Sequence, residues 1–153
     1  MSPLPEGVTG FGLAAQRHST SVRSFSTACY QAIRCIGGTV VLVREANEGA
    51  SCSFHEATLA LPLGMQIRVL CNAHFPLLAF AEATHARSDW DFRFVDHPTL
   101  AEAFGNPWTV LRADELQQFP DEEVLRLLGS EEVNQLEYWR PQSVGHVVFN
   151  HWD

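Results

Sequence analysis

Ala28-Cys-Tyr-Gln-Ala-Ile-Arg-Cys-Ile36 runs through Gly37-Gly38 into Thr39-Val-Val-Leu-Val43. Two apolar, β-branched runs on either side of a two-residue glycine turn predict a tight hairpin, because glycine supplies the positive φ such turns need. On that reading an antiparallel sheet starts at Ala28. It continues past a turn at Glu45-Ala-Asn-Glu-Gly49 into Ser51–His55 and Ala57–Leu61. Pro62-Leu63-Gly64 breaks it, and Gln66–Cys71 resumes it with Ile67 and Val69 on one face.

Phe75–Ala83 is a short apolar segment that reads as a further, buried strand. Trp90, Phe92 and Phe94 alternate with Asp89, Asp91 and Arg93, which sets three aromatics on one side of a half-exposed strand. Beyond Val95 the signals turn helical. Asp96-His97-Pro98 offers a capping aspartate and a first-turn proline for a helix through Phe104, stopped by Gly105-Asn106-Pro107. Trp108–Leu111 returns to the sheet, and Ala113–Phe119 makes one or two helical turns.

Pro120-Asp-Glu-Glu123 places acids at the positive end of the next helix, with Val124, Leu127 and Leu128 as its buried stripe. Ser130 caps a helix that ends before Pro141. The tail fits a last helix through the spacing of Val144, Val148 and Trp152, with strand as the alternative because of Gly145 and its β-branched neighbours. The expected architecture is α+β: an antiparallel β-sheet from the N-terminal half (about 28–95) packed with three to four helices from the C-terminal half. Residues 1–27, rich in Ser, Thr, Gly and Pro without a sustained period, read as a loose or weakly docked arm, and 28–153 as a single domain.

A length of 153 residues with 46% hydrophobic content fills one core. No apolar run is long enough for a membrane span and the start has no signal-peptide pattern, so the expected location is cytoplasmic, away from any membrane. All ten cationic side chains are arginine, a usage that points to a high-GC bacterial source. The net charge of −8 argues against nucleic acid, whose affinity comes from cationic side chains displacing counterions. The charge is also segregated. Residues 1–81 carry four acids and five arginines, whereas residues 82–153 carry fourteen acids and five arginines. Such a field attracts a basic partner.

Nothing in the sequence matches a phosphate-cradling loop, a nucleophile elbow or a His-Glu-x-x-His helix, so no cofactor and no catalytic constellation is expected. Seven histidines and four cysteines keep an alternative open, a small metal- or thiol-dependent enzyme using histidines with Cys52 or Cys71. His146 and His151, five residues apart, turn away from each other on a helix or a strand. A second alternative is a small-molecule pocket lined by Trp90, Phe92 and Phe94, although large aromatics of this kind ordinarily fill cores.

The leading expectation is a protein-binding domain, an immunity-type inhibitor of a basic toxin enzyme, acting through its acidic half. Its candidate contacts are Asp114, Glu115, Asp121, Glu122, Glu123, Glu131, Glu132 and Glu137, with Trp139 and Trp152 as aromatic anchors. A free strand edge would also allow a homodimer.

Overall fold

β1 (Thr39–Arg44), β2 (Phe54–Ala60), β3 (Gln66–Asn72) and β4 (Leu77–Glu82) follow one another as antiparallel neighbours in a computed structural model that describes residues 1–46, 52–83 and 92–152. The free edge of β4 is shared by two short strands. β5 (Phe94–Val95) pairs antiparallel with Phe80 and Ala81, and β6 (Thr109–Val110) pairs parallel with Leu77 and Leu78. The expected strands over 57–61, 66–71 and 75–83 are therefore present, and the chain is α+β. Ser51 and the Asp89–Asp91 part of the expected aromatic strand lie outside the described residues.

Alternation decides what each face of the sheet packs against. Ala57, Leu59, Ile67, Val69, Cys71, Leu78 and Phe80 point to one side, where α2 (Val22–Cys35) and α3 (Pro98–Ala103) cover them. Phe54, Leu70, Ala79 and Ala81 point to the other. There the cover is the N-terminal segment, which includes the short α1 (Leu13–Arg17), with α4 (Ala113–Gln117), α5 (Glu122–Leu125), α6 (Ser130–Trp139) and α7 (Val144–Val148). Because both faces are covered, β3 is buried at consecutive positions from Ile67 to Asn72.

The hairpin expected over Ala28–Val43 is not formed. Residues 28–35 are the second half of α2, which starts upstream at Val22 with the Ser21 hydroxyl accepting from the amide of Ser24. Phe25, Cys29, Ala32 and Ile33 are buried at helical spacing, and that stripe faces the sheet. The two glycines close the helix. Gly37, at φ +83°, donates its amide to the Arg34 carbonyl at 3.1 Å, and Gly38 donates to Ile33 at 3.0 Å, the paired bonds of a Schellman end. β1 then takes β2 as its partner, with Thr39 opposite Ala60.

The first 27 residues are tied to the body at several points. Leu4 and Val8 are buried in the core, the Leu4 amide donates to the Val124 carbonyl at 2.9 Å, and Asn72 Nδ2 donates to the Val8 carbonyl at 2.8 Å. The Thr20 amide donates to Ala73 at 2.8 Å before α2 begins. At α3 the capping side chain is His97, whose Nδ1 accepts from the Leu100 amide at 3.1 Å. Asp96, expected there, instead accepts from the amide of Ala113 at the start of α4. No helix among the described residues is long and apolar enough to cross a membrane.

Candidate functional site

The two chain ends meet beside α6. Asn150 stands at the junction: its amide donates to Ser53 Oγ at 2.9 Å, and its side-chain nitrogen donates to the carbonyls of Thr9 and Val147, each at 3.0 Å. Ser53 Oγ in turn donates to the Val148 carbonyl, which also accepts from Asn72 Nδ2. These buried polar groups are satisfied by one another, so the chain end is held at a fixed position.

From that anchor the chain leads to an aromatic ridge. Trp152 lies parallel to Trp139, with centroids 6.4 Å apart and planes within 3°, and its other neighbour is Phe11 at 6.5 Å. Trp139 meets Tyr138 edge to face at 5.1 Å. The Trp139 indole N–H donates to Gln135 Oε1 at 3.0 Å, one turn back along α6, which fixes the ring. Tyr138 is 77% exposed and Trp139 39%, so the ridge faces solvent. Arg140, in the left-handed region at φ +49°, and Pro141 stop the helix just beyond it.

Carboxylates stand on the same helix. Glu131 is seven residues before Tyr138 and shares its stripe, while Glu137 lies four residues beyond the exposed Val133. Neither forms an ion pair among the described residues, and the same holds for Glu122 on α5. Glu131 also borders a hollow of about 300 Å³ between α6 and the N-terminal segment, with Phe11, Leu13 and Arg17 among its walls.

The remaining nominated acids have other employment. Asp114 and Glu115 both lie 3.4 Å from Arg112 Nε, Glu123 lies 3.1 Å from Arg126 Nε, and Asp121 caps α5 by accepting from the Val124 amide. Glu132 is removed from the candidate surface altogether. Only 1% exposed, it accepts from the amides of Gly7 and Thr9, the hydroxyl of Thr9 and the amide of Gly129. Its helical position turns it inward, one residue along from Glu131.

The cysteines and histidines do not assemble a reaction centre among the described residues, where no three potential metal ligands converge. Burial pushes the Cys29 thiol up to about 12 and Cys71 well above its ordinary value. Cys52 is also raised, chiefly by burial, and its sulfur lies 3.0 Å from the Ala46 carbonyl. His55 is used at both ring nitrogens: Nδ1 accepts from the Ala46 amide at 3.0 Å and Nε2 donates to the Thr20 carbonyl at 2.7 Å. Phe92 and Phe94 pack against Phe54 and Phe149 in the core, and Trp90 lies outside the described residues.

The inward turn of Glu132 and the proximity of Phe11 to Trp152 are what the sequence reading missed. Both are contacts between residues more than a hundred positions apart, with no local signature. Comparison of the chain with protein-family models, with curated proteins and with solved structures found no match.

Proposed function

We propose that this chain is a protein-binding domain of the bacterial cytoplasm that docks a partner with a basic surface, as an immunity-type inhibitor of a basic toxin enzyme. The observation that carries this reading is the solvent-facing ridge of Tyr138, Trp139 and Trp152, with the carboxylates of Glu131 and Glu137, which form no ion pair among the described residues, on the helix that bears Tyr138 and Trp139. Rigid aromatic rings bury much area while freezing few rotors, which is why Trp and Tyr dominate interface hot spots. Carboxylates around such an anchor attract Lys and Arg during approach, and the acid-rich half of the chain extends that field. The enzyme alternative has less support, because the three thiols with raised pKa values stay protonated near neutral pH and His55 has no free ring nitrogen.

Wild-type protein and a Tyr138→Ala/Trp139→Ala variant, immobilised side by side in lysate of the source cells and read by quantitative mass spectrometry, test the proposal. A basic protein should be enriched on the wild type and depleted at least about tenfold on the variant. The recovered protein should bind directly when purified, and a stoichiometric amount of this chain should suppress its activity. Equal retention by both baits, or recovery of acidic proteins alone, would contradict the reading.

A further inference from the structure

We propose that the open groove between the start of α2 and the two Pro-containing loops at Phe75–Pro76 and Pro107–Trp108 binds a small organic phosphate. The groove measures about 860 Å³ and carries Arg17, His18, Arg23 and His74 in its lining, with no aspartate or glutamate among the described residues that line it. In a chain with eighteen acids and ten arginines, a concave surface that gathers two arginines and two histidines, with no carboxylate among its described lining, stands apart from the acidic surroundings. Such a surface selects an anion.

Hydroxyl groups add donors at the same place. Thr20 lines the groove, with its backbone amide bonded to Ala73 and its carbonyl to His55, and among the described residues its hydroxyl makes no hydrogen bond, which leaves it open to donate at the groove wall. Ser19 and Ser21 flank it, and the positive end of the 14-residue helix α2 opens beside them. The lining is held in shape: His74 Nδ1 donates to the His18 carbonyl at 2.9 Å, and the His18 ring packs on Phe75 at 4.7 Å.

Phe75, Pro76, Pro107 and Trp108 continue the groove as an apolar wall, with Trp108 seated against Phe25 at 6.3 Å. A phosphate alone would leave that wall unused. A phosphate joined to a flat, weakly polar body uses both parts, in keeping with ligand sites that combine an apolar lining with a few fixed polar groups. The ligand class is therefore an organic phosphate with a ring system, of which a nucleoside monophosphate is the simplest probe.

The experiment is calorimetric titration of the purified full chain with adenosine 5′-monophosphate, adenosine and inorganic phosphate at low ionic strength. Adenosine monophosphate should bind most tightly, inorganic phosphate more weakly, and adenosine not measurably. Arg17→Ala/Arg23→Ala, both at exposed positions, should weaken the monophosphate at least about tenfold with an unchanged melting temperature. Thr20→Val, which keeps the shape and removes the hydroxyl, should weaken it about fivefold. No binding of monophosphate or phosphate at millimolar concentration overturns the proposal. So does binding that the arginine variant leaves intact, adenosine binding as tightly as its monophosphate, or phosphate matching the monophosphate.

Discussion

The carboxylate of Glu132 on α6 accepts both the amide and the hydroxyl of Thr9, at 3.1 and 2.5 Å, across 123 residues of sequence. With the Gly7 amide on the other oxygen, this one side chain fastens the N-terminal segment to the helix that carries the aromatic ridge. Glu132→Ala would leave the Gly7, Thr9 and Gly129 amides without their acceptor. At roughly 1–3 kcal/mol for each buried group left unpaired, the expected loss is at least about 3 kcal/mol. That corresponds to a melting temperature lower by about 10 °C for a chain of this size. Glu132→Gln keeps one acceptor oxygen and should lose less. Urea unfolding of the two variants beside the wild type checks the order; equal midpoints for all three would refute the role given to Glu132.

Gly145 in α7 is needed for a different reason, which is space. A Cβ at this position would overlap the ring of Phe94, itself buried in the core against Phe149. Gly145→Ala should destabilise by about 1–3 kcal/mol, the usual cost of overfilling a packed core, even though alanine is the better helix former. Thermal unfolding reads the result, and a stabilised variant would mean that α7 does not sit against Phe94.

The thiols should separate by reactivity in the folded protein. Cys35 is exposed and should be labelled fast by a thiol reagent at neutral pH, while the buried Cys29 and Cys71 should be labelled only on unfolding. A pH effect follows from Cys29, whose pKa rises from 9.0 to about 12 on burial. The folded state keeps a proton that the unfolded chain releases more readily, so this contribution to stability is intact below pH 9.0 and is lost as pH climbs towards 12. Cys29→Ala should flatten the alkaline fall in stability. An unchanged fall, or fast labelling of Cys71 in native protein, would contradict the burial of this thiol pair.

Tyr138 offers the cleanest separation of binding from folding. At 77% exposure, its removal should change stability by less than about 0.5 kcal/mol, as for most surface substitutions. Unfolding midpoints for Tyr138→Ala and wild type should coincide. A large drop would show that the ring serves as a clamp for the chain end rather than as a contact.

Much of the fold was legible where local chemistry and tertiary packing agree. Pro62-Leu63-Gly64 separates β2 from β3 as its turn chemistry requires, Asp121 caps α5, and the apolar run at Leu77–Glu82 forms a buried strand. The error at α2 arose because Ile33, Ile36 and Gly37-Gly38 carry strand and hairpin signals when residues 28–43 are taken alone. The deciding evidence lies seven residues upstream, where Ser21 caps a helix and Phe25 sets its phase with Cys29 and Ala32. The candidate ridge was half legible, since Trp139 and Trp152 are conspicuous in the sequence. The inward turn of Glu132 was hidden, because three of its four donors come from Gly7 and Thr9 in the docked N-terminal segment and only the Gly129 amide is local.

Charge reversal on α6 tests the proposed docking of a basic protein on that face. The affinity of the recovered partner is measured for wild type and for Glu131→Arg/Glu137→Arg, both exposed positions, at low and at high salt. The variant should bind at least about tenfold more weakly at low salt, mainly through slower association, with a gap that narrows as salt screens the field. Equal affinity for both proteins at low salt would contradict the proposed docking.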